Sequence, residues 1–177
     1  MAIVMNHALR AGLIFGLIEI ILTLVIYFID RSYFASFLFG LTIILLLIMY
    51  PIFTVINLRK QNEGFIDFKS AFTSSFFTCF NAAILSAIFT YILYNFMDPE
   101  LGAFLKEKAV EKATSMMERF NVPQEDIDKQ IEQLENQPLD YGIAANLKAL
   151  FFKGFFIGIY SLILAAILKK KQPEPGF

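Results

Sequence analysis

Tryptophan is absent from this 177-residue sequence, and cysteine and histidine occur once each, as Cys79 and His7. One cysteine closes no intrachain disulfide, and one Cys with one His falls short of the three or four ligands that hold a protein zinc ion. Charged residues are scarce at 18%, and the net charge is -1 with no basic stripe among aromatics, which excludes nucleic acid as a partner. Also missing are a His-Glu-x-x-His helix, paired His and acid boxes, a Gly-x-Ser-x-Gly elbow and a Gly-rich phosphate loop. Ser, Thr and Tyr hydroxyls remain, but none has a base and a third orienting group in pattern around it. The expectation is a protein that is not an enzyme, with no catalytic residue, cofactor or metal ligand to assign.

Apolar residues are what the chain has in excess: 57% of the sequence is hydrophobic, 21 residues are Phe, and the mean hydropathy is +0.60. That is more than a soluble domain of this size can hide. They gather in four blocks, near residues 11–29, 33–58, 70–97 and 149–168. Each is close to or above the roughly 20 residues needed to cross hydrocarbon. The fold class expected is all-α: one membrane domain over residues 1–177, a four-helix bundle in a lipid bilayer. Arg10 precedes the first block as it would in a signal peptide. Glu19 interrupts that block, however, and Tyr33-Phe34-Ala35 lacks the small residue that cleavage requires, so it is read as a helix.

Asp30-Arg31-Ser32 reads as a tight turn, and Pro51 should kink the second span by removing a backbone donor. Gly64 to Lys69 mixes aromatics with charges as an interfacial segment does, and Asp67 is the expected N-cap of the third helix. Small side chains at Ala71, Ser75, Cys79, Ala82 and Ser86 let a neighbour approach closely, which places the third span at the centre.

Between the third and fourth spans, residues 98–146 form an extramembrane helical loop, and its stretch from Asp98 to Asp140 holds eleven acids and five bases. Asp98-Pro99-Glu100 reads as N-cap, Pro at N1 and an acid in the first turn. Helical apolar spacing from Leu101 to Phe120 breaks at Asn121-Val122-Pro123 and resumes at Ile127, Ile131 and Leu134, a hairpin with one apolar face. Its Met and aromatic stripe is ordinary packing or a groove for a partner.

Four spans put both termini on one side. Seven Lys and Arg fall on that side (Arg10, Arg59, Lys60, Lys69 and Lys169 to Lys171) and eight on the other. The seven cluster tightly at span ends, where the positive-inside bias acts most strongly, so both termini are expected in the cytoplasm. Tyr27, Tyr33, Tyr91, Tyr94 and Tyr141 fall at the opposite boundary like an interfacial belt.

Counting helical rise from the span ends puts Glu19, Tyr50, Asn81, Tyr160 and Ser161 in one intramembrane polar layer. An acid at that depth costs roughly 2.5–3.5 kcal/mol, so Glu19 should be protonated or hydrogen-bonded to a partner such as Asn81 or Tyr50. It is either interhelical glue or an ion-handling carboxylate. Lys153 counts to about 10 Å from the Glu19 level and is expected to snorkel outward with Lys148. Gly12-x-x-x-Gly16 and Gly154-x-x-x-Gly158 are close-packing motifs, within the bundle or between copies of a homo-oligomer.

The run Gly64-Phe65-Ile66-Asp67-Phe68-Lys69-Ser70-Ala71-Phe72, the long third span, Asp98-Pro99-Glu100, the acidic hairpin and a final span ending in Lys together resemble the domain of unknown function family numbered 4199. The resemblance implies a small bacterial four-span membrane protein and carries over no functional residue. Two functions fit the residues. One is a non-enzymatic accessory protein of the cytoplasmic membrane that engages a membrane-protein partner through the hairpin and small-residue faces. The other is a small transporter or ion-conducting subunit built on Glu19.

Overall fold

In the computed structural model, which describes residues 1–170, six α-helices follow one another: α1 (Ala2–Asp30), α2 (Phe37–Gln61), α3 (Phe68–Ile92), α4 (Leu101–Arg119), α5 (Gln124–Glu135) and α6 (Ile143–Leu168). Lys171 and the Pro- and Gly-containing tail lie outside the described residues. Four helical segments, Ile3–Ala35, Phe37–Gln61, Phe68–Met97 and Ile143–Leu168, are long and apolar enough to cross a membrane. Their outer faces carry large exposed apolar side chains such as Phe37, Phe53, Phe151 and Phe155, the surface that lipid covers.

The helices outrun the apolar blocks. α1 begins at Ala2 rather than near residue 11, and α6 at Ile143 rather than near 149. These added stretches mix apolar residues with Asn6, His7, Arg10, Asn146 and Lys148, and the helical backbone hydrogen bonding runs through them. The second helix starts later than expected, at Phe37. Asp30 caps a short 3-10 turn, Arg31–Ala35, by accepting from the Ser32 N–H, and the Ser36 hydroxyl then caps α2 by accepting from the Phe39 N–H. Asp67 caps α3 as expected, its carboxylate accepting from the Ser70 N–H at 2.7 Å.

α3 is the central helix, touching α1, α2 and α6, which meet one another only sparsely. Of the expected stripe, Ala71, Ser75, Cys79 and Ala82 are nearly inaccessible, while Ser86 is only partly buried. Toward the face that carries the termini, an apolar core of Val55, Leu58, Ile66, Ala71, Leu164 and Ala165 joins α2, α3 and α6. There the end of α6 is tied down: the backbones of Ile66 and Lys170 pair, and the Arg59 guanidinium donates to the Leu168 carbonyl.

Pro51 lies inside α2, buried. The carbonyls one turn back lose regular partners at such a site. One turn back the Tyr160 hydroxyl of α6 donates to the Ile48 carbonyl at 2.7 Å, while the Thr54 hydroxyl donates to the carbonyl of Tyr50, the residue just before the proline.

The hairpin of α4 and α5 stands on the opposite face, with Leu101 and Ile127 fully enclosed. Its entry differs from the expected capping. α4 starts at Leu101 without a side-chain cap, because Asp98 turns away from it. The Asp98 carboxylate instead accepts from Arg31 at 3.0 Å and from Tyr27 at 3.2 Å, and the Arg31 guanidinium also covers the Phe104 ring. α3 ends in a π turn, Leu93–Met97, that closes with the Asp98 N–H on the Leu93 carbonyl.

Candidate functional site

Close packing of α1 on α3 begins at Gly12. A Cβ there would lie 2.7 Å from the Thr78 carbonyl oxygen and 2.8 Å from the Asn81 Cβ, and one at Gly16 would lie 2.8 Å from Leu85. The first glycine motif is therefore used inside the bundle. The second works differently: Gly154 and Gly158 face the rings of Phe80 and Phe76, so side chains, not backbone, fill the space beside them.

These contacts also fix the register. Ser161 meets Ser75, hydroxyl to hydroxyl at 3.0 Å, and Gly154 meets Phe80, while Gly16 lies against Ala82 and Leu85. Measured along α3, Ser161 and Glu19 are thus about ten residues apart, roughly 15 Å. The five polar residues do not form one layer. Tyr50 donates to the Ala11 carbonyl at 3.1 Å and stacks on Phe15, Tyr160 goes to Ile48, and Asn81 packs beside Gly12 with its Nδ2 unbonded among the described residues. Neither Tyr50 nor Asn81 bonds to Glu19. The depth count failed because it ran from apolar-block edges, whereas α1 starts nine residues earlier.

The same register brings Lys153 to nearly the level of Glu19, nearer than its sequence position suggested. Both line a cavity of about 770 Å³ that all four membrane helices border and that opens to the outer face, where Phe152, Lys153 and Phe156 are exposed. α1 contributes Phe15, Glu19 and Thr23; α2 contributes Phe39, Ile43 and Leu47; α3 brings Cys79, Ala82 and Ser86; α6 adds Phe152, Lys153, Phe156 and Tyr160. Glu19 is half-buried. Thr23 donates to its backbone carbonyl, and among the described residues no donor or cation reaches its carboxylate; Lys153 stays beyond the 4.0 Å of an ion pair. Lys153 and Ala149 are shared with a neighbouring cavity of about 250 Å³ whose wall includes Asp140, Tyr141 and Asn146 at the hairpin base.

From the sequence a direct Glu19–Lys153 pair is possible but not favoured, and none forms among the described residues, although the two share a cavity; sequence reasoning missed the Arg31–Asp98 clamp. An Arg in a turn and an Asp before a Pro each have an ordinary local explanation, and only the fold shows them meeting. The tyrosines at this boundary also do more than float in an interface: Tyr94 stacks on Tyr141 at 4.2 Å, and Tyr141 fits against Gly102, where a Cβ would collide with its ring.

Four apolar helices around a small-residue centre, with charged groups confined to the helix ends, the hairpin and one cavity, define a multi-pass helical membrane protein. The sequence model of the family described as Protein of unknown function (DUF4199) matches residues 10–170, and the chain belongs to that family. No curated protein and no solved structure matches it.

Proposed function

We propose that this is a non-enzymatic accessory protein of the cytoplasmic membrane, with both termini in the cytoplasm and the acidic hairpin engaging a membrane-protein partner on the opposite face. The clamp at the hairpin base carries this reading. Arg31, Asp98 and Tyr27 fix one side of α4, Lys112 donates to the Ala35 carbonyl further along it, and Asn95 donates to the Tyr141 carbonyl where the chain returns to α6. A loop held this way is a platform, not a tether. Its outer helix α5 buries Ile127 and leaves Glu125, Asp126, Asp128, Glu132 and Glu135 exposed, which suits a partner with a basic surface. The clusters Arg59–Lys60 and Lys169–Lys170 at the termini face support the cytoplasmic assignment.

The test is mild cross-linking in native membranes followed by purification of the wild type and of Asp126→Lys/Asp128→Lys/Glu132→Lys. The expected result is one stoichiometric partner, weakened by salt and lost in the charge-reversed protein. Recovery of the chain alone would remove the accessory reading. A second reading, a small transporter or ion-conducting subunit using Glu19, is favoured by the cavity that Glu19 shares with Lys153. Flux through reconstituted protein that survives Glu19→Gln unchanged would eliminate it.

A further inference from the structure

The cavity between the four membrane helices has two poles and an apolar middle. Glu19 of α1 supplies a carboxylate and Lys153 of α6 an ammonium, while Phe15, Phe39, Phe152 and Phe156 supply aromatic walls. The two charges lie at neighbouring levels of α3, yet they are not in ion-pair contact with each other or with any other described residue. At this depth a half-buried Glu19 charge is costly without a partner, while Lys153 is exposed at the edge of the cavity. A simple cation would satisfy Glu19 and be repelled by Lys153, and a simple anion would meet the reverse. The volume of about 770 Å³ falls within the range of small-molecule sites, which are apolar with a few placed polar groups.

We infer that this cavity binds a zwitterion with an apolar body, its ammonium at Glu19, its anionic group at Lys153 and its body against the phenylalanines. The smaller cavity that shares Lys153 and Ala149 leads from Lys153 past Asn146 and Tyr141 toward the hairpin face, with Asp140 also in its wall. The site goes beyond both functional readings, since binding requires neither flux nor a protein partner. Two sources offer this chemistry: a zwitterionic lipid from the bilayer and a short zwitterion from water.

The absence of Trp gives a clean readout. Phe152→Trp keeps an aromatic in the wall and makes the sole indole of the chain. This protein, in phosphatidylglycerol nanodiscs, is titrated with dodecylphosphocholine, dodecyltrimethylammonium and dodecyl maltoside below their micelle concentrations, with empty nanodiscs correcting for partition. The zwitterion is expected to bind at least about tenfold tighter than the cation or the neutral maltoside, about 1.4 kcal/mol in preference. Glu19→Gln and Lys153→Met should each abolish that preference, Lys153→Met shifting it toward the cation, while Glu19→Asp retains it. Hexylphosphocholine separates the sources: near-equal affinity indicates uptake from water, and loss with the shorter chain indicates uptake from the bilayer. Equal affinity for all three head groups, measured without altering either pole, would overturn the proposal, as would a preference that survives both charge-removing variants.

Discussion

The two halves of the bundle are built on opposite principles. On the termini side, Gly12 lets α1 reach the backbone of α3, Ser75 and Ser161 bond in a space without solvent access, and aliphatic side chains pack α2, α3 and α6 together, with a cavity of about 500 Å³ left between α1 and α2. Toward the hairpin side the same four helices border a cavity of about 770 Å³ lined by Glu19 and Lys153. Lipid tails are as apolar as leucine, so helices in a bilayer associate through contact and hydrogen bonding rather than through escape from water. Small residues are therefore the adhesive, whether they meet backbone, as Gly12 does, or receive a large side chain, as Gly16 and Gly154 do. The contacts along α3 hold the molecule together, and these cavities lie where α2 stands off from α1 and α6.

The sharpest break in this contrast is Gly12→Ala. Its Cβ meets backbone, which cannot rotate away, so the expected loss is about 1–3 kcal/mol in unfolding of the purified protein. Gly40→Ala, where an added Cβ meets nothing within 4 Å, should be neutral or slightly stabilising. Replacing Arg31 by Gln tests whether the hairpin is truly coupled to the bundle. Asp98 keeps only Tyr27, and because Arg31 is 44% exposed the expected cost is about 1 kcal/mol or less. It should be read as faster hydrogen exchange in α4 with the α1–α3 contact unchanged.

Asp67→Ala should cost about 1 kcal/mol by uncapping α3. The Ser70 N–H beside it holds the Asp67 carboxyl below the usual aspartate range. The unfolded chain thus takes up the proton first as pH falls. The cap's contribution is full above the ordinary aspartate pKa near 4 and fades as pH drops through the lower folded value. Wild type should lose its advantage over Asp67→Ala in acid; a gap that is constant with pH would contradict the cap. The smallest effect is Ser75→Ala with Ser161→Ala, whose double-mutant cycle should give a coupling of about 0.6 kcal/mol.

Some of these features were readable in advance because their causes are local. Asp67 precedes a helix and has an N–H to accept three residues on, and the small residues of α3 recur at helical spacing wherever a neighbour must come close. Others depended on register. Glu19 and Lys153 lie on the first and last membrane helices, and their relative height follows from where Gly16 and Gly154 land on α3, which no count from hydropathy edges supplies. Asp98 shows the competition in one residue: locally it is a good cap for α4, but Arg31 and Tyr27 offer it a charged and a hydroxyl donor across the fold, and it takes those.

The sequence by itself determined the solvent, the number of crossings and the identity of the central helix, because apolar length and small-residue spacing act along a single helix. Only the tertiary structure decided which charges share a cavity, which glycine motif joins backbones and which receives rings, and how the hairpin is fixed. Those outcomes depend on the axial offsets between helices, and the offsets are set jointly by every contact along their lengths.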